Sequence, residues 1–145
     1  MKYLFLVFFP VLLAWQIIQT LVGLFGIVVS LITGHCTFKF RWDKDKWWFA
    51  LVVCYDCNIN MGGCHGWIIL MPCRGIDRCW EDHEYGHVPQ SIVCGLLYYI
   101  IVGIPSYRTL KKVQSGKMTR EERMNSWPEK QADRLGGVTR QAFND

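Results

Sequence analysis

Five consecutive residues near the middle of the chain have the types and spacing for metal chemistry: His83-Glu84-Tyr85-Gly86-His87. Two histidines four apart share one face of a helix, so their imidazoles can reach a single ion. Glu84 follows the first histidine, where its carboxylate can take a proton from a water activated by the metal. Zinc is the expected ion, since a zinc held by three protein groups keeps an open position for chemistry. The competing reading is a histidine pair that only packs or caps.

A catalytic zinc needs a third protein ligand, and its histidines need acceptors for their second ring nitrogens. Glu129-Lys-Gln-Ala-Asp133 offers both. One helical turn apart, Glu129 can bind the metal while Asp133 accepts a hydrogen bond from a ligand histidine. The same segment also reads as a surface helix opened by a capping glutamate. Asp77, Asp82, His65 and the cysteines are the other residues that could complete the set.

These residues need elements to position them. The helix carrying the histidines is expected to begin between Asp77 and Asp82, where Asp77, Glu81 and Asp82 suit a helix N-terminus. Pro89 should kink or end it. Upstream, residues 36–42 alternate as a half-buried strand does, with Phe38, Phe40 and Trp42 on one side and Thr37, Lys39 and Arg41 on the other. A charged turn at 43–46 leads into 47–55, an apolar run of strand length that suits burial on both faces. Residues 66–71 read as a third strand ended by Pro72, and the three together suggest a small antiparallel meander. Downstream, Ser126 is the expected N-cap of a helix that Gly136-Gly137 ends.

Hydropathy is strongly segregated in this chain, which is 51% hydrophobic. Residues 3–33 are almost wholly apolar and carry no convincing cleavage site, which predicts an N-terminal transmembrane segment over residues 1–34. Gln16, Gln19 and Thr20 share one face of it, suited to hydrogen bonding with a neighbouring helix. Residues 35–145 then form the metal-binding domain. Within it, the apolar stretch 92–105 reaches about 21 Å as a helix, short of a hydrocarbon core of about 30 Å. It is expected to be re-entrant, interfacial or covered by protein. Tyr98, Tyr99 and Tyr107 suit a membrane interface and, by type alone, oxyanion stabilisation. Residues 108–145 are rich in Lys and Arg, which places them in the cytoplasm.

The fold class expected from all this is an α+β membrane protein, with membrane lipid and a peptide or protein substrate as partners. The net charge of +4 comes without the interleaving of basic and aromatic residues that nucleic-acid binding needs. Seven cysteines, including the pair Cys54 and Cys57, leave disulfides, a structural metal site and unlinked thiols all open.

The pattern His83-Glu-Tyr-Gly-His87 with Glu129-x-x-x-Asp133 resembles the gluzincin branch of the zincin metallopeptidases. That resemblance implies a zincin-like active-site helix and a C-terminal ligand helix. It makes His83, His87 and Glu129 the metal ligands, Glu84 the catalytic base and Asp133 the partner of a ligand histidine. It also implies an edge strand that holds an extended peptide beside the metal. The chain further resembles small bacterial membrane proteins, through HEYGH followed by Gln90-Ser91, then Leu97-Tyr98, Gly103-Ile104-Pro105-Ser106, and Glu129 to Val138. This implies the bacterial inner membrane as its location. The later Asp-Gly of intramembrane site-2 proteases has no counterpart after His87. The expected function is therefore membrane-associated, zinc-dependent peptide hydrolysis. The alternatives are a non-catalytic membrane protein with a structural zinc site and a cysteine-rich interaction protein. A structural site needs four protein ligands and no base, so Glu84 discriminates.

Overall fold

The computed structural model describes residues 11, 14–56, 62–73 and 78–138. Helix α1 (Ile17–Thr33) leads through Gly34 directly into strand β1 (His35–Trp42). Strands β2 (Phe49–Asp56), β3 (Gly63–His65) and β4 (Ile68–Pro72) follow. Helix α2 (Arg78–Cys94) continues into a short 3-10 turn and a wide π-helical turn, then α3 (Ile104–Gln114). Two short helices, α4 (Arg120–Asn125) and α5 (Glu129–Gly136), complete the described chain.

The strands form one sheet in the order β1-β2-β4-β3, with a helix on each face. Alternation along the strands divides the core in two. Ala50, Val52, Ile69 and Met71 face α2 and pack with its Tyr85, Val88 and Ile92. Val53, Tyr55, Ile68 and Leu70 face the other way, against Ile27 of α1. All five residues of β4 are buried, as a short apolar strand covered on both faces requires.

Two expectations about the architecture are corrected. The sheet is mixed rather than an antiparallel meander, because β2 pairs parallel with β4. The reason is β3, a three-residue strand that turns at Gly66 (φ 67°) into β4 and pairs antiparallel with it. The hairpin reverses the direction of β4 and leaves β3 at the outer edge. The second correction concerns the N-terminal segment. Among the described residues, no single helix is long and apolar enough to cross a membrane. Helix α1 has 17 residues, about 25 Å of rise, and then turns at Gly34 to join the sheet it covers. Among the described residues the fold is thus α+β with five helices and a four-stranded mixed sheet, and the expected transmembrane helix is not among them.

Smaller differences follow from packing. On β1 it is Lys39 and Arg41 that face α2, where Arg41 meets Asp82 at 2.6 Å and Lys39 meets Glu81 at 2.9 Å. Phe38, Phe40 and Trp42 are left exposed on the face that α1 covers. Pro89 neither ends nor interrupts α2, which runs through it to Cys94. Every residue from His83 to Ile92 is buried, and that packing outweighs one lost backbone bond. Ser126 closes α4 instead of opening α5, with its hydroxyl donating to the Arg123 carbonyl. The capping box lies at Thr119 and Glu122, at the start of α4. Cys36, Cys54, Cys64, Cys73 and Cys94 carry free thiols, and Cys57 lies outside the described residues.

Candidate metal centre

Helices α2 and α5 cross at unusually close range, and glycine makes the approach possible. A Cβ on Gly86 would collide with the carbonyl of Ala132, and one on Gly136 with the carbonyl of Asp82. In an isolated helix Gly→Ala gains about 1 kcal/mol. At Gly86 the collision reverses the sign. Gly86→Ala is expected to destabilise the fold by about 1–3 kcal/mol, the range for overpacking, read as a lower urea midpoint with unchanged slope. A variant as stable as wild type would show that the crossing yields easily.

This crossing sets the α5 carboxylates against the α2 histidines. His83 Nδ1 donates to Asp133 Oδ1 at 2.5 Å, and its Nε2 lies 3.0 Å from Glu129 Oε2. His87 Nε2 lies 3.9 Å from the same oxygen. The two imidazoles stand edge to face, with centroids 4.9 Å apart. His83, His87 and Glu129 are all buried, and one donor atom of each lies within 4.8 Å of the other two. The group could hold a metal ion. The donor set fits one: two imidazole nitrogens and a carboxylate whose Oε1 is buried without a hydrogen-bond partner.

The second ring nitrogens are both engaged. Asp133 takes that of His83, and His87 Nδ1 donates to Gln90 Oε1 at 2.6 Å. Gln90 is itself fixed, because its amide donates to the Pro128 carbonyl at 3.0 Å and to Gln131 at 2.8 Å. Each contact leaves a histidine Nε2 pointing at the shared centre and fixes the ring's orientation. Arg123 adds a charge-assisted bond to Glu129 Oε2 at 3.1 Å.

Electrostatics follow from burial set against these contacts. Burial disfavours a charged His83, but the bonds to Asp133 and Glu129 outweigh it and push the imidazole up to about 10. Burial likewise opposes ionisation of Glu129, yet His83, His87 and Arg123 pull it down to about 2. Burial lowers His87, which favours the neutral ring a metal needs. A proton on His83 Nε2 can bridge to Glu129, and an ion held by the same atoms would have to displace it.

Glu84 sits beside the group without joining it. It is 8% exposed, and its Oε1 accepts from the Trp80 indole at 3.1 Å. With His87 it lines a cleft of about 410 Å³, together with His65, Tyr99, Tyr107 and Arg123. His65 Nδ1 and the Tyr99 hydroxyl lie 2.9 Å apart. Burial raises Tyr99 far enough to keep that hydroxyl protonated. Tyr98 is buried, whereas Tyr107 is 58% exposed.

Of the other residues considered for the third ligand, Asp82 is occupied by Arg41, His65 is turned to Tyr99, and Asp77 lies outside the described residues. Sequence reasoning did not give roles to Gln90, Arg123 or Trp80. Gln90 had a signal, three residues beyond His87 on the same helix. Arg123 had none, since its reach to Glu129 depends on how α4 turns into α5. No protein family, no curated protein and no solved structure matches the chain.

Proposed function

We propose that the chain is a zinc-dependent peptidase of zincin type. The observation that carries this reading is the convergence of His83 Nε2, His87 Nε2 and Glu129 Oε2 at one buried point beside a cleft that also holds Glu84. Three protein ligands with an adjoining cleft suit a catalytic zinc, whereas a structural one is closed by four. When bound, zinc supplies Lewis acidity toward a peptide carbonyl and makes water acidic enough to attack near neutral pH.

The chain's own residues do the rest. Glu84 accepts the proton of the attacking water and returns it to the leaving amine. Asp133 and Gln90 hold the two histidines in the orientation and tautomer that ligation needs. His65 and Tyr99 are hydrogen-bonding groups in the same cleft, suited to charge that develops on the carbonyl oxygen. Strand β3 is one of the two outer strands of the sheet, and Gly63 to His65 line the cleft. An extended peptide can add to that edge through main-chain hydrogen bonds.

Metal analysis tests the reading first. Purified protein is expected to carry about one zinc per chain, the stoichiometry of a single three-ligand site. His83→Ala and His87→Ala are each expected to empty it. Full occupancy in the double variant would rule the site out.

A further inference from the structure

Helix α1 is built the opposite way round from a helix that faces water. Its sheet-facing side is mostly small or polar: Gln16, Gln19, Gly23 and Ser30 are buried, with the partly buried Ile27 the large apolar residue among them. Gln19 donates to the Gly95 carbonyl, Gln16 accepts from Ser91 at 3.3 Å, and Gly23 lets the helix lie close to Ile68. Its outward side carries Ile18, Leu21, Val22, Phe25, Leu31 and Ile32, with Phe25 70% and Ile32 79% exposed. No residue of Ile17–Thr33 is charged. A helix packed on a protein in water turns its apolar stripe inward and its polar face outward. Small and polar residues inward with large apolar residues outward is how helices pack when lipid surrounds them.

The width of the outward face selects the occupant. At about 100° per residue, the positions from Leu31 round to Val22 span roughly half the circumference. A single partner helix covers a narrower stripe, whereas a fluid hydrocarbon layer wets the whole arc. The surface also continues. The Trp15 indole donates to the Ile92 carbonyl at 2.9 Å, joining the start of α1 to the end of α2. From there Val93, Leu97, Ile100 and Ile104 are exposed. This second apolar segment bends by 117° between α2 and the helix that follows. It then gives way to exposed Arg108, Lys111 and Lys112 on α3. Basic residues that directly follow a lipid-facing segment are placed to meet anionic headgroups.

We infer that the outward face of α1 and the apolar segment 93–104 dock the protein onto an anionic lipid bilayer, with Arg108, Lys111 and Lys112 at the headgroups. The mode is interfacial: the elements lie in the surface of the bilayer and do not cross it. Ile104, Tyr107 and Leu110 line the metal-side cleft as well, so docking brings its mouth to the membrane surface. The inference is independent of whether the metal group is catalytic.

Vesicle flotation of the full chain is the test, using phosphatidylcholine alone and phosphatidylcholine with phosphatidylglycerol. Wild type is expected to float with both and to partition about tenfold or more better into the anionic vesicles. Phe25→Ser and Ile32→Ser are each expected to weaken partition into either kind by roughly tenfold, from the apolar surface no longer buried. Lys111→Glu with Lys112→Glu is expected to abolish only the anionic preference, which controls for damage to the fold. Circular dichroism of each variant should match wild type, because none of these side chains is buried. A chain that stays with the lipid-free fraction overturns the inference. So does a dimer in sedimentation that Phe25→Ser dissociates while vesicles remain unbound, since a second copy would then be the occupant. Equal flotation of wild type and the two apolar variants overturns it too.

Discussion

Glu84→Gln is expected to lower peptide hydrolysis by roughly 10² to 10⁴, the loss typical of a removed general base, while zinc stays bound. The substitution is nearly isosteric. A glutamine carbonyl can still accept from the Trp80 indole, the contact that holds Glu84 Oε1 at 3.1 Å. Glu84 is absent from the group of residues whose donor atoms converge, so metal content should not move. The side chain lines the cleft beside His87, within reach of a peptide held there. What disappears is basicity alone. The measurement compares wild type and Glu84→Gln on a mixed peptide library in the presence of anionic vesicles, with zinc content read on the same samples. An active wild type that loses nothing on Glu84→Gln would remove Glu84 from the mechanism. A loss of zinc together with activity would make it a ligand instead.

How much of this was legible in the sequence varied with the range of the interaction. The histidine pair and the Glu129–Asp133 pair are each one helical turn apart, so local periodicity alone put their side chains on common faces. That the two faces meet could be suspected only from the chemistry they would share. The meeting itself depends on Gly86 and Gly136, whose role as a crossing point is invisible until the partner backbone is placed. The sheet was harder. Alternation identified β1 and β2, but β3 is three residues long and adjoins a turn-rich stretch, so the parallel pairing of β4 had no periodic trace. Hydropathy located the apolar run of α1 but not its orientation. Gln16, Gln19 and Thr20 were rightly read as one face. The neighbouring helix expected as their partner is α2: Gln16 accepts from its Ser91, and Gln19 donates to the Gly95 carbonyl just beyond its end. Pro89 misled because helix propensity is a weak prior beside ten consecutive buried residues.

Glu129→Gln and Asp133→Asn separate the residue that holds the metal from the one that orients a ligand. Both are buried carboxylates on α5, and both touch His83. Only Glu129 also approaches His87, and only Glu129 has an oxygen left without a partner. Loss of an orienting contact typically costs about 10- to 100-fold in metal affinity, which is the expectation for Asp133→Asn. Glu129→Gln removes the anionic ligand itself, so its loss should exceed that range, beyond about 100-fold. Stability should respond less. A glutamine oxygen can still accept from Arg123 at the position where Glu129 Oε2 now does so at 3.1 Å. Competitive titration against a chromogenic zinc chelator measures both affinities, and urea unfolding of the metal-free proteins supplies the control. The order of effects is the decisive result. Equal losses would mean that Asp133 binds metal too. An unchanged affinity in Glu129→Gln would show that the converging group is an ion-pair network of the helix crossing, with no metal at its centre.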